Sequence, residues 1–253
     1  MRLQGVHALV TGGGSGIGAA IARALAAEGA ALTLVGRRRD ALEAVAATLP
    51  GACVAPADIT DCAAVDAAFA EARAAHGPIG ILVNNAGAAT SAPFAKVTAE
   101  AWRATMAVNV DALFHCCQSA LPDLLDAPAG RIVTIASTAG VRGYAYTAPY
   151  VASKHAAIGL TRALALELAG SRVTVNAVCP GFTDTDIVSA TIATIRSKTG
   201  RSEAEALAEL TRFNPQKRLI EPAEVAEAAL WLSLPSAKSI TGQAILVAGG
   251  EVM

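Results

Sequence analysis

The sequence predicts an α/β fold: a doubly wound, seven-stranded parallel sheet with helices on both faces. Three observations predict it. Short apolar runs of strand length alternate with segments of helix length along the chain. Within each run successive residues are apolar, as expected of strands buried on both faces. The first run passes at once into a glycine-rich turn and then a helical stretch.

The elements follow in order. Residues 6–10 make the first strand, and the turn after them leads into a helix over 17–29. A strand at 32–35, a helix at 41–49 and a strand at 52–55 come next. Asp61 opens another helix: a short carboxylate is a good N-cap, and Val65, Ala68, Phe69 and Ala72 recur at helical spacing. The fourth strand covers 79–83, and a long helix runs from about 98 to 125. The fifth strand, 131–136, carries a β-branched Ile-Val-Thr-Ile core. A helix over 149–168 has Pro149 in its first turn, where proline is tolerated. Strands at 173–178 and 244–247 complete seven. One domain, 1–253, accounts for all of them.

One segment breaks the alternation. Pro180-Gly181 is followed by about thirty residues with no strand. They hold an apolar helical piece (187–195), a basic stretch (Arg196, Lys198, Arg201) and an acidic helix (203–210). Such insertions are commonly lids. Pro180-Gly181 ends a strand on the edge where open α/β sheets bind ligands, so the insertion at about 183–215 reads as a substrate lid.

Composition sets limits. Of 253 residues 53% are hydrophobic and 16% charged, which excludes a disordered chain. Aromatics make up only 4%, so the apolar excess is aliphatic. The net charge of −1 gives no electrostatic reason to seek nucleic acid or an anionic membrane. A mean hydropathy of +0.45 raises the question of a membrane span. The longest uncharged run, 77–95, contains Asn84, Asn85, Pro78 and Pro93 and reads as strand plus loop. The amino terminus lacks the apolar core of a signal peptide, so a cytoplasmic location is expected. Five cysteines, an odd number, suit reduced thiols. His115, Cys116 and Cys117 are adjacent on a helix and point in different directions, so no metal site is expected.

The chemistry gathers at three places. Gly12, Ser15, Gly16, Ile17 and Gly18 form the turn between first strand and first helix. Glycine lets backbone N–H groups approach an anion, and the helix amino end adds partial positive charge. In this strand–turn–helix context the turn predicts a dinucleotide site. The second strand ends in Gly36-Arg37-Arg38-Arg39, where an acid would be expected if a free ribose 2′-hydroxyl were to be read. Guanidinium suits phosphate, so Arg37 and Arg38 favour NADP(H) over NAD(H). Tyr150 and Lys154 stand at i and i+4, on one helix face, and Ser137 ends the fifth strand. A phenol needs a nearby positive charge to exchange a proton near neutrality. These residues therefore suit a carbonyl–alcohol interconversion: Tyr150 as general acid or base, Ser137 orienting the substrate oxygen, Lys154 lowering the pKa of Tyr150.

With these motifs in this order, the chain resembles the short-chain dehydrogenase/reductase family in its roughly 250-residue, single Rossmann-type form. The resemblance covers essentially the whole chain. It implies that Asn85, Ala86 and Gly87, within Asn84-Asn85-Ala86-Gly87, steady the sheet and line the adenosine side. It implies that Asp58 and Ile59 contact adenine. It assigns Pro180, Gly181, Thr183 and Thr185 to the carboxamide and phosphate side, and lets Lys154 hold the nicotinamide ribose. Asn109 matches an asparagine that kinks a helix and holds a water in the proton relay, completing a tetrad with Ser137, Tyr150 and Lys154. Two departures stand out: Ser15 where many NADP-preferring members carry a basic residue, and Ala248 where Asp is usual.

Fold and tetrad do not specify the substrate. Ser153-Lys154-His155-Ala156, Cys179-Pro180-Gly181-Phe182 and Ser239-Ile240-Thr241-Gly242-Gln243 are similar to 3-oxoacyl-thioester and polyketide ketoreductases. That similarity implies an NADPH-linked reductase of a 3-oxoacyl thioester, such as a coenzyme A ester, or of a related small ketone. The basic stretch in the lid reads equally as a receiver for a phosphate-bearing carrier and as solvated charge. Two rivals remain: an NAD-dependent dehydrogenase of a small secondary alcohol or 3-hydroxyacid, and a non-catalytic cofactor-binding regulator. Family habit and the Ala-rich long helices imply a homotetramer or homodimer.

Overall fold

The computed structural model describes residues 1–253, Ile187 by its backbone alone. Seven parallel strands lie in the order β3-β2-β1-β4-β5-β6-β7. They are β1 His7–Thr11, β2 Ala31–Gly36, β3 Cys53–Pro56, β4 Ile79–Asn84, β5 Arg131–Ile135, β6 Thr174–Pro180 and β7 Ala244–Val247. The chain runs outward from β1 to β3, then returns to place β4 beside β1. That reversal leaves a crevice at the carboxyl ends of β1 and β4.

Side chains alternate across the sheet, and each face builds its own core. Ala8 and Val10 of β1, Ile81 and Val83 of β4 and Val133 and Ile135 of β5 point to one face. There they meet α1 (Gly16–Ala27), α2 (Arg39–Ala46) and α9 (Pro222–Ser233). Leu9, Leu82 and Ile132, one residue out of step, join α3 (Cys62–His76), α5 (Ala112–Asp126) and α6 (Ala148–Glu167) on the other face. Both faces are covered, which is why the strands are apolar at successive positions.

Local chemistry explains several boundaries. The Asp61 carboxylate accepts from the N–H groups of Ala63 and Ala64 and starts α3. Thr98 does the same for α4 (Ala99–Met106), accepting from Ala101. The long helix expected over 98–125 is interrupted: α4 passes through a π-helical turn, Ala107–Asp111, before α5 begins. Asn109 lies in that turn, and its side chain bonds to the backbone of Ala88 rather than facing solvent. The insertion after β6 folds as α7 (Asp186–Thr199) and α8 (Glu203–Thr211), the latter started by a Ser202–Glu205 capping box. The helix α9 was not anticipated in the sequence. It does carry a signal, Pro222 in the first turn and a Glu221–Glu224 capping box. Among the described residues, no helix is long and apolar enough to cross a membrane.

Candidate active site

The carboxyl ends of the strands open onto a cleft of about 1010 Å³. One end is floored by the glycine turn. Gly12 (φ +67°) and Gly16 (φ +51°) adopt left-handed backbone that side chains rarely tolerate. A Cβ on Gly12 would stand 2.8 Å from Asn85 Nδ2, and one on Gly16 3.1 Å from Thr185. The turn is thus pressed against the loops after β4 and β6. Thr11 fastens it: its hydroxyl accepts from the N–H groups of Asn85 (3.0 Å) and Ala86 (3.1 Å). Asn85 Nδ2 returns a bond to the carbonyl of Thr11 at 2.9 Å. Ser15, the N-cap of α1, makes no side-chain capping bond, so the amino end of α1 is open to an anion.

Gly12, Ser15, Gly16 and Ile17 line the cleft, as do Asn85, Ala86 and Gly87. Gly18 does not: it lies behind the turn, where a Cβ would collide with the Gly12 carbonyl. Only glycine at this position lets α1 pack so closely on the turn, since a Cβ there would also stand 2.5 Å from Asn85 Nδ2. Arg37, Arg38, Asp58 and Ile59 form the lip at this end. Asp58 is held below the usual carboxylate range by the Thr60 backbone and hydroxyl, with Arg37 adding a smaller pull. Arg39 pairs with Glu43 on α2. Arg37 and Arg38 are exposed and form no ion pair among the described residues. The glycine turn and the uncapped helix fit the phosphates of a dinucleotide, with Arg37 and Arg38 exposed at the lip beside them.

Ser137, Tyr150 and Lys154 line the other end, with Pro180, Gly181, Thr183 and Thr185 opposite. Ser137 follows β5; its hydroxyl bonds to Tyr150 and also accepts from Ala139 N–H at 3.1 Å. Tyr150 and Lys154 occupy successive turns of α6, and Lys154 Nζ stands 5.8 Å from the Tyr150 ring centroid. Lys154 is only 6% exposed and donates to the carbonyl of Ile135 at 2.9 Å. Burial lowers its pKa to about 8. Burial also raises that of Tyr150, against the opposing effect of its bond with Ser137. The expectation that Lys154, together with the positive ring of an oxidised nicotinamide, lowers the Tyr150 pKa concerns the loaded cleft; in the protein alone burial is the largest influence on the phenol.

Asn109 lies just behind the cleft. Its Nδ2 donates to the Ala88 carbonyl (2.9 Å) and to the Ser153 hydroxyl (3.0 Å), and its Oδ1 accepts from Ala88 N–H (3.0 Å). A Cβ on Gly87 would sit 2.9 Å from Asn109 Oδ1 and 3.5 Å from Lys154 Nζ, so a side chain at Gly87 would crowd both.

Several cleft residues carried no spacing signal in the sequence. Tyr144 lines the substrate end, and its hydroxyl donates to Glu251 Oε1 at 2.5 Å while lying 2.8 Å from the Thr138 hydroxyl. Burial pushes the Tyr144 phenol up, and the Glu251 carboxylate adds to this. Ala248 is buried against Gly181, its Cα 3.3 Å from where a Gly181 Cβ would stand; Glu251 Oε2 lies 3.1 Å from the same point. This corner therefore holds a carboxylate from Glu251 beside the methyl group of Ala248. In the insertion, Val188 and Thr191 of α7 reach the cleft. Two of its cations are committed to α8: Arg196 to Glu203 at 3.2 Å and Arg201 to Glu209 at 3.6 Å. Cys116 and Cys117 are buried in the α5 core, and among the described residues no three His, Cys, Asp or Glu side chains converge.

Comparison with known proteins bears on this geometry. The profile for short chain dehydrogenase matches residues 6–196. Galactitol 2-dehydrogenase (L-tagatose-forming) of Cereibacter sphaeroides is 42% identical over 254 residues, covering 98% of this chain and 96% of that protein. A putative ketoacyl reductase of Streptomyces coelicolor is 37% identical over 249 residues, covering 96% and 95%. The crystal structure of a variant of actinorhodin polyketide ketoreductase with NADPH superposes with a TM-score of 0.93 at 36% identity, covering 97% of both chains. The likeness spans nearly the whole chain in sequence and in fold, cleft included: the protein belongs to the short-chain dehydrogenase/reductase family and is an oxidoreductase acting on alcohol or ketone groups.

Proposed function

We propose that the protein uses NADPH in preference to NADH to reduce a ketone, a 3-oxoacyl thioester or a related small ketone, with Tyr150 as general acid. The observation that carries the cofactor preference is the lip of the cleft, where Arg37 and Arg38 are exposed and form no ion pair among the described residues. When bound, the dinucleotide supplies the hydride. Gly12, Ser15, Gly16 and Ile17 hold its phosphates, Arg37 and Arg38 the extra phosphate, and Asp58 and Ile59 its adenine. Asn85, Ala86 and Gly87 line the adenosine side. Pro180, Gly181, Thr183 and Thr185 face the carboxamide and nearer phosphates.

The chain's own groups handle the proton. Ser137 donates to the substrate oxygen and orients it toward Tyr150. Tyr150 gives its phenolic proton to that oxygen as the alcohol forms. Lys154, held by Ile135, keeps a positive charge beside the phenol and stabilises the phenolate left behind. Asn109 ties the π-helical turn to the loop after β4 and so anchors the wall that carries Gly87. Because burial raises the Tyr150 pKa, the phenol stays protonated through neutrality, which suits reduction. Oxidation of the alcohol needs the phenolate and rises with pH.

A second reading, an NAD-linked dehydrogenase of a small secondary alcohol, draws support from Ser15 in the glycine turn and from hydroxyls at the substrate end (Thr138, Tyr144, Thr147). It also agrees with the Cereibacter relative, a galactitol 2-dehydrogenase. A substrate panel with both cofactors separates the two. Acetoacetyl-CoA with NADPH is expected to consume the nicotinamide absorbance. Faster turnover with NADH, or turnover of ketoses and no thioester, favours the second reading. A chain that turns over nothing, with Tyr150→Phe indistinguishable from wild type, is a regulator instead.

Residues 183–215 act as a lid over the substrate within a single domain. The protein acts in the cytoplasm, where its five free thiols stay reduced. It assembles as a homotetramer, or a homodimer, through faces that include exposed Phe114 and Leu125 on α5 and Leu166 on α6. Light scattering tests this, and a monomer at micromolar concentration refutes it.

A further inference from the structure

Beside Ser137 and Tyr150, the substrate end of the cleft carries the hydroxyls of Thr138, Tyr144 and Thr147. Each has one proton to give, and where that proton goes decides what the wall can recognise. The Tyr144 hydroxyl stands 2.5 Å from Glu251 Oε1. A carboxylate only accepts, so the phenolic proton goes to Glu251. The contact of 2.8 Å between the Tyr144 and Thr138 hydroxyls must then run from Thr138 to Tyr144. Thr147 gives its proton to the Tyr144 carbonyl at 3.1 Å. All three protons are therefore directed into the protein. Tyr144 and Thr147, both half-buried at the cleft, have only oxygen lone pairs left for a ligand.

The carboxylate that sets this order is firmly held. Glu251 is 9% exposed, and its N–H closes a turn onto the Ala248 carbonyl at 3.1 Å. A Cβ at Gly181 would stand 3.1 Å from Glu251 Oε2, so the missing side chain there makes room for it. Arg142 donates to the Glu251 carbonyl at 3.3 Å and places its guanidinium over the Tyr144 ring, 5.0 Å from the centroid. Phe182 meets the same ring edge-on at 6.2 Å. The phenol thus has one position, fixed from three sides.

We propose that Glu251 is a positioning residue for substrate choice: by taking the Tyr144 proton it makes this wall an acceptor surface, which selects small ketones that carry a hydroxyl one or two carbons from the carbonyl. The proposal rests on the reading of Ser137 and Tyr150 as the groups that hold the reacting oxygen. The cleft is then polarised. Donors meet the carbonyl oxygen at Ser137 and Tyr150, and acceptors begin with the hydroxyl network of the very next residue, Thr138. A hydroxyketone matches both halves. An ether or a methylene in place of its hydroxyl leaves the lone pairs of Tyr144 and Thr147 unmatched. A site built to bond a hydroxyl discriminates against the analogue that lacks one for this reason.

The test uses 4-hydroxy-2-butanone, its methyl ether and 2-pentanone, with whichever nicotinamide cofactor turns over faster. The readout is the ratio of kcat/KM for the hydroxyketone to that for the ether. In wild type a ratio of about tenfold or more is expected, carried by KM. Glu251→Gln, whose amide can donate to the phenol and release its proton toward the cleft, should lower the ratio several-fold. Tyr144→Phe should bring it near unity. A merely structural loss would lower all three ketones together and leave the ratio as it was. Calorimetric titration of the same ketones into the NADP-loaded enzyme reads the ratio without turnover. No turnover with the binding ratio intact therefore counts against the acid–base reading and supports this one. A wild-type ratio near unity, or no binding of the hydroxyketone, overturns the proposal, and so does a Glu251→Gln ratio equal to that of wild type. The wild-type ratio decides the matter even if neither variant folds.

Discussion

The two ends of the cleft treat charge in opposite ways. At the lip, Arg37 and Arg38 are exposed just past the end of β2 and form no ion pair among the described residues. At the other end Lys154 is buried, tied to a backbone carbonyl and drawn down to about 8. Recognition of a phosphate asks only for mobile cations within reach, and salt and water weaken each contact. Proton transfer asks for a charge held in place beside the phenol where water cannot screen it, so the fold bears a desolvation cost there. The difference teaches where substitutions should be tolerated and where they should not.

The sharpest way to break the comparison is at the buried end. Tyr150→Phe removes one hydroxyl and is expected to lower kcat by about 10²–10⁴. Cofactor affinity, measured by fluorescence titration, should stay within a few-fold. Loss of binding together with kcat would mean that the two ends are not separable.

At the lip, Arg37→Asp is expected to lower kcat/KM for NADPH by about 10–100-fold, the worth of one charge-assisted contact. The value for NADH should hold or rise. An unchanged NADPH value would show that Arg37 reads no phosphate.

The desolvation cost itself can be measured. The folded pKa of Lys154, about 8, lies below its ordinary 10.5, so the unfolded chain binds more protons between those values. Wild-type stability should therefore rise from pH 8 to 10.5, and Lys154→Met should erase that rise. At pH 7 the same variant should melt higher by roughly 5 °C, once the lost bond to Ile135 is set against the relieved burial. A lower melting point would mean that the ammonium is better solvated than its burial implies.

The smallest effect belongs to Arg39, next in line to the lip arginines but paired with Glu43 at 3.4 Å on an exposed helix face. Arg39→Ala should leave both cofactor preference and melting temperature unchanged within error, as surface pairs generally do. A change in NADPH use would extend the phosphate site beyond Arg37 and Arg38.

Much of the fold was legible in the sequence because its signals are local. Seven apolar runs, Asp61 as a cap and Pro149 in a first turn each bias their own few residues. Most boundaries lie within three residues of those expected, the end of α7 four residues beyond, as helix and strand ends commonly do. The helix α9 also carries local signals, Pro222 in its first turn, the Glu221–Glu224 capping box and a stripe of Val225, Ala226, Ala229 and Leu230. The interruption at 107–111 was legible only through the resemblance that singles out Asn109. Helical propensity runs straight through Ala107-Val108-Asn109, and a bond across 21 residues to Ala88 accompanies the π turn there.

The sequence by itself determined the class of fold, the glycine turn and the i, i+4 placement of Tyr150 and Lys154, because each is a property of neighbours along the chain. Only the tertiary structure decided which residues stand in water and which do not. It placed Gly18 behind the turn and set Arg37 beside Asp58 at the lip of the cleft. It paired Tyr144 with Glu251 across 107 residues. Charge strength, pKa and hydrogen-bond satisfaction depend on burial and on partners brought from distant strands, and no short window of sequence contains them.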